Sequence, residues 1–200
     1  GATSNFLGYG HPPFPGAICA SPTSMVVHGV PSDDVVLHDG DLISIDCGAI
    51  VDGWHGDAAF TAVVGEGAPE VLALIAGAEA ALDAAIAVMV PGGRMGDIGH
   101  AVSSTAAAHG LEVVDGYTGH AIGRAMHEAP SVPNWGEAGT GIKLRAGNVL
   151  AVEPMVVLGD ADTVVLDDGW SVVTASGDWA AHTEHTIAIT DAGPQVLTLP

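Results

Sequence analysis

Alternation of apolar and polar positions is clearest over DLISIDCGAIVDGWHGDAAFTAVV, residues 41–64, where β-branched and small residues flank Asp52-Gly53. Asp-Gly accepts the positive φ that both central positions of a two-residue turn require, so the segment predicts a β-hairpin. In that register Val51 faces Trp54 and Gly48 faces Asp57, which puts Asp46 on the same face as Asp57, two positions further along. The period then becomes helical. Residues 69–89 open with Pro69 and Glu70, place Leu72, Ile75, Leu82, Ile86 and Met89 near one face, and stop at Pro91-Gly92-Gly93. A second helix is predicted from Met95 to His109, closed by Gly110. Strand-like segments follow at 112–115, 149–157, 162–166, 170–175 and 184–189, while residues 1–31, rich in Gly and Pro, predict short strands joined by irregular turns. Strands, two helices, then strands predict an α+β architecture rather than a doubly wound parallel sheet. One domain spanning residues 1–200 is sufficient to bury the core.

Charge narrows the function classes. The net charge is −20, and the only cations are Arg94, Arg124, Lys143 and Arg145, too few for the basic stripe that nucleic acid or an anionic membrane would require. Only 14% of residues are charged, against roughly 25% in ordinary domains, so the acidity reflects missing bases more than added acids. No stretch reaches the ~18 uncharged apolar residues of a spanning helix, and GATSNFLGYG lacks the blocks of a signal peptide, so a cytoplasmic location is expected. Cys19 and Cys47 form no CxxC and read as two reduced, largely buried thiols, with Cys47 pointing away from Asp46.

The acids in apolar surroundings carry the chemistry. An isolated pair such as Asp46 and Asp57 is more often a solvated hairpin feature, but LISID is otherwise apolar, and a buried strand does not hold unpaired carboxylates without a cation or hydrogen bonds. Glu153 follows the apolar run Val149–Val152, Glu184 precedes HTIAIT, and His120 in GHAIGR adds an imidazole. Four carboxylates and one imidazole suit a pair of divalent cations. Diagonal hairpin neighbours about 7–8 Å apart can serve two cations spaced by roughly 3.5–4 Å, with Gly48 leaving room beside Asp57.

Taken together, FLGY, ICAS, VVHGVP, GDLISIDCGAIVDGWHGDAA, GHAIGRAMHEAP, LAVEPM, DDGWSVVT and AAHTEHTIAIT resemble the type I methionine aminopeptidases of bacteria over nearly the whole chain. The resemblance implies the pita-bread fold, two pseudo-symmetric halves with a dinuclear site between them. It implies that Asp46 binds one metal, that Asp57 and Glu184 bridge, and that His120 and Glu153 bind the other. The metals would be Co, Mn, Fe or Zn, and a hydroxide between them would attack the carbonyl after an N-terminal methionine. Glu153 would move the proton, His127 would stabilise the oxyanion, and His28 would contact the scissile amide. Tyr9, Phe14, Cys19, His28, Met126 and Trp170 would form the methionine pocket, with Phe6 at its rim. Substrates would be N-terminal Met peptides and nascent chains with a small second residue, processed by a monomer. The lack of a basic docking surface puts ribosome contact in doubt.

His11, His38, His100, His109, His182 and His185 read as ordinary surface or structural histidines, and His55, two residues before Asp57, as a residue that lines the site. Three departures from the family pattern stand out. GYGHPPFP is about two residues longer than usual, Ala121 replaces a glycine, and the helical segment that normally precedes FLGY is missing, so the chain looks shortened at its amino end. The sheet face that segment normally covers would have to be covered by another chain, repacked, or left as an apolar patch prone to association. An Xaa-Pro-type peptidase of the same fold and a catalytically silent binding protein are the alternatives.

Overall fold

The computed structural model describes residues 1–199. Strands β1 (Thr3–Ser4), β2 (Cys19–Pro22) and β3 (Met25–Val27) precede the hairpin of β4 (Leu42–Val51) and β5 (Trp54–Val63). Helices α1 (Pro69–Ala87) and α2 (Met95–Ala108) come next, followed by β6 (Glu112–Val113), β7 (Gly119–Ala121) and β8 (Glu128–Val132). The chain then forms β9 (Val149–Val152), β10 (Met155–Val157), β11 (Thr163–Val165), β12 (Val172–Thr174), β13 (Ala180–His182), β14 (His185–Thr190) and β15 (Gly193–Val196).

All strand pairing is antiparallel. β1, β2 and β5 pair with β4, and β15-β14-β9-β7-β8 make the largest sheet. Two three-stranded sheets, β13-β10-β6 and β11-β12-β3, complete the framework. The hairpin adopts the predicted register, with Val51 opposite Trp54, Gly48 opposite Asp57, and positive φ at both Asp52 and Gly53. A backbone bridge between Ala59 and Glu184 ties it to the late strands.

Several expectations change. The strand predicted over 149–157 is broken at Glu153-Pro154, because Pro154 cannot donate to a ladder and the chain turns from one sheet into another. β7, β8, β13 and β15 have no period-two pattern; short strands of this kind are held by their neighbours and leave little trace in sequence. Helix α1 buries Val71, Leu74, Ala78, Ala81, Leu82 and Ala85, whereas Leu72 is exposed. So many of its residues are alanine that polar contrast around the axis is weak, and the small-residue stripe packs inward where Leu72 was expected. Asp97 accepts from the Arg94 backbone N–H at the start of α2 (2.8 Å), and Gly110, at φ +71°, follows its end.

Cys19 is buried as expected, but Cys47, also expected to be buried, is exposed. Cys47 stands on the face of β4 away from Asp46, together with Ile43, Ile45 and Ala49, and across from Phe60 and Ala58 on β5. This face is apolar and largely open. The cations also gather more closely than predicted: Arg124, Lys143 and Arg145 line one groove of about 660 Å³. No helix among the described residues is long and apolar enough to cross a membrane.

Candidate metal centre and its pocket

The hairpin delivers the first two acids. Asp57 is 4% exposed, and its backbone N–H donates to Thr186 Oγ1 (2.9 Å) while the Thr186 hydroxyl donates back to its carbonyl (2.8 Å), so β5 is clamped to β14 beside Glu184. Strand pairing sets Cys19 opposite Asp46, bringing the thiol into the same space. Gly48 does not make room for cations as expected. A Cβ there would collide with Asn5, whose buried side chain fills that space and donates to the Gly56 carbonyl (3.2 Å).

The late strands deliver the other three. His120 sits on β7 just before a register shift, Glu153 at the break after β9, and Glu184 immediately before β14. Single ligand atoms of Asp57, His120 and Glu184 lie within 4.8 Å of one another. Glu153 Oε1 faces His120 Nε2 at 3.6 Å. Asp46 Oδ1, Asp57 Oδ1 and Glu184 Oε1 are buried without a hydrogen-bond partner, a costly arrangement unless a cation takes those lone pairs.

Electrostatics agrees with the geometry. Burial, reinforced by the charges of Asp57 and Glu153, raises Asp46 well above the usual carboxylate range, and burial plus the neighbouring acids does the same to Glu184. Burial lifts Asp57 and Glu153 to about 7, the first aided by the charge of Glu153, the second opposed by His120. Four acids held this way are poised to give up protons to divalent cations. The donor set, oxygen-rich with one imidazole, fits such ions.

An adjoining cavity of about 130 Å³ is lined by every residue that the family resemblance assigns to the site. Phe6, Tyr9, Phe14, Cys19, Met126 and Trp170 form its apolar part; His28, His127 and the five ligand candidates form the rest. The longer loop does not displace Phe14, which is 3% exposed and meets Trp170 edge-on, ring centroids 5.3 Å apart. Trp170 Nε1 donates to the Pro12 carbonyl (3.0 Å), so the loop wraps the indole. His127 is fixed by Tyr9, Oη to Nδ1 2.6 Å, and its ring centroid is 4.2 Å from that of His120. Burial and neighbouring histidines lower His127 and His28 to about 4, leaving both neutral near pH 7.

Loop 122–128, which carries Met126 and His127, is stapled to the hairpin tip. Arg124 stacks 3.8 Å over Trp54 and donates to the Asp52 carbonyl (2.9 Å), and Glu128 Oε1 accepts from the backbone N–H of Arg124 and Ala125 (2.7 and 2.9 Å). Ala121 is a buried strand residue packed in the core and is absent from the positive-φ positions, so it does not crowd His120. His55 lines a neighbouring groove with Trp54 and Ile122, not the cavity.

Three residues near the centre escaped the sequence reading. Asn5 is one. Asn134, 1% exposed, donates to the Glu153 carbonyl (2.9 Å) and holds the strand break in place. His182, read as ordinary, is 2% exposed with Nε2 3.6 Å from Glu153 Oε2. A histidine inside the small apolar run AAHT, two residues before a candidate ligand, was the available signal.

Comparison with known proteins agrees. Residues 2–191 match metallopeptidase family M24. The chain is 52% identical to methionine aminopeptidase 1 of Mycobacterium tuberculosis, covering 100% of this chain and 76% of that protein. The crystal structure of methionine aminopeptidase from Thermotoga maritima superposes with a TM-score of 0.96 at 42% identity, over 100% of this chain and 79% of that one. A prolidase from Pyrococcus horikoshii shares the pita-bread fold more distantly, with a TM-score of 0.72 at 25% identity over 91% of this chain and 47% of that one. The chain belongs to metallopeptidase family M24 and, within it, to the methionine aminopeptidases.

Proposed function

We propose that residues 1–200 act as one catalytic domain that removes N-terminal methionine from peptides and nascent chains with a small second residue, in the cytoplasm and as a monomer. The observation that carries this reading is the set of buried, unpartnered carboxylate oxygens around His120, set directly beside an apolar cavity. Two divalent ions, Co, Mn, Fe or Zn, fit the donor set. Asp46 would hold one, His120 and Glu153 the other, and Asp57 and Glu184 would be shared. When bound, such ions activate water and polarise the scissile carbonyl.

The chain's own residues do the rest. Phe14, Met126 and Trp170, with Phe6, Tyr9 and Cys19, take up the methionine side chain and exclude water. With Tyr9 donating to Nδ1, His127 keeps its proton on Nε2, where it can donate to a developing oxyanion. His28, on the cavity wall, would contact the scissile amide or leaving nitrogen. Glu153, its affinity for protons raised towards neutrality, would accept a proton and pass it to the leaving amine.

The test is hydrolysis of Met-Ala-Ser against Ala-Pro-Ala, with Co, Mn, Fe and Zn added separately to chelator-stripped protein. Methionine release alone is expected. Cleavage of Ala-Pro-Ala alone would instead make the chain an Xaa-Pro-type peptidase, and silence under every metal would make it a binding protein.

A further inference from the structure

Glu153 stands between two imidazoles. Oε1 faces His120 Nε2 at 3.6 Å and Oε2 faces His182 Nε2 at the same distance. His120 belongs to the proposed ligand set, but nothing so far gives His182 a role. Its Nε2 is buried and has no hydrogen-bond partner, and its side chain is 3% exposed.

The backbone of His182 is unusually well held. Its N–H donates to Thr61 Oγ1 (3.0 Å) and, more weakly, to Ser44 Oγ (3.3 Å), and its carbonyl accepts from the Thr61 hydroxyl (2.7 Å). The two hydroxyls are 2.8 Å apart, a cross-strand pair on the hairpin face that also carries Asp46. On the other side, β13 pairs with β10 so that His182 lies opposite Met155, two residues after Glu153. The backbone that carries the imidazole is therefore held on two sides, with a ring nitrogen that has no hydrogen-bond partner 3.6 Å from one carboxylate oxygen.

We infer that His182 is a positioning residue for Glu153: its Nε2–H donates to Oε2 and leaves Oε1 to face the cation site beside His120. This rests on the reading of Glu153 as a ligand. A separation of 3.6 Å is just beyond hydrogen-bond range, and a carboxylate rotation of well under an ångström closes it. The physical need is general. A ligating carboxylate is oriented by a donor to its second oxygen, and such partners typically set metal affinity by ~10–100-fold. Besides Glu153 and the clamp on its backbone, the imidazole faces His28, an uncharged neighbour at neutral pH that does not compete as an acceptor for a charge-assisted bond.

The experiment is calorimetric titration of the chelator-stripped full chain with Mn²⁺, alongside steady-state kinetics. His182→Leu should bind Mn²⁺ about 10–100-fold more weakly and lose kcat with KM little changed, whereas His182→Gln, which keeps an N–H donor of similar reach, should recover most of the affinity. Wild-type affinity and kcat in a folded His182→Leu chain would overturn the inference, as would equal losses in the Leu and Gln variants. Should the Leu variant fail to fold, His182→Asn, whose amide is too short to reach, is expected to show the same loss, and unchanged affinity there would overturn the inference equally. Glu153→Gln run in parallel separates the two levels. If it also binds Mn²⁺ normally, the ligand role of Glu153 fails; if it loses Mn²⁺ while His182→Leu does not, only the positioning role fails.

Discussion

The two halves of the site are built by different means. Asp46 and Asp57 stand on one continuous hairpin, and the count of residues through Asp52-Gly53 places them on a common face. His120, Glu153 and Glu184 come from three places more than thirty residues apart in sequence, each at a strand end, a register shift or a strand break. A regular element carries its ligands by periodicity alone. An irregular one must be positioned by what packs around it, and here that is Asn134, His182 and the Thr186 clamp.

If both halves contribute to one centre, removing a carboxylate from either should have the same consequence. We expect Asp57→Ala and Glu184→Ala each to abolish metal binding, measured as metal content after dialysis, and to reduce methionine release to background. Full activity in a metal-replete assay of Asp57→Ala would refute a shared centre, and a large difference between the two variants would show that the regular half carries it. His127→Ala tests a residue placed by neither mechanism but by Tyr9 and the stapled loop. Metal content should be retained while kcat falls ~100–1000-fold, as for other lost oxyanion donors; unchanged turnover would remove that role.

A smaller effect appears in the metal-free protein. Asp57 and Glu153, unfolded near 3.8 and 4.5, keep their protons to about 7 in the fold, so over that range the folded chain binds more protons than the unfolded one, and stability falls as pH rises. His28, His127 and His182, lowered to about 4, act in the opposite sense between about 4 and 6.5, where the unfolded chain binds more protons. Above about 6.5 only the acids remain. The Tm of chelator-stripped protein should therefore decline above pH 6.5 for as long as the buried acids Asp57, Glu153, Asp46 and Glu184 still hold protons, by ~3–5 °C per pH unit for each proton difference, and saturating metal should abolish the decline. A flat profile would mean that burial does not raise these carboxylates in the metal-free protein. The smallest effect tests the irregular strand β7: Ala121→Gly should lower stability by about 0.5–1 kcal/mol in denaturant titration without raising kcat, because the alanine is unstrained.

Much of this was readable from residues alone. The hairpin, both helices and all five ligand candidates are visible in the sequence, the last three through their motifs rather than through any local geometry. Cys47 misled because a thiol's average preference for the interior says nothing about which face of this strand is open. Leu72 misled because alanine packs as well as leucine when two helices approach closely. Asn5, Asn134 and His182 were hidden for a deeper reason: each matters through an atom belonging to a distant part of the chain, and composition around it carries no record of that partner.

The pairing of β4 with β5 has one more consequence. Side chains along a strand repeat every two residues, so adding or deleting a single residue between Asp46 and Asp57 would send one carboxylate to the open apolar face and bring Cys47 or Ala58 inward in its place. A single inserted residue is compatible with the site only where the turn lengthens or a bulge absorbs it, because only then do both aspartates keep their common face.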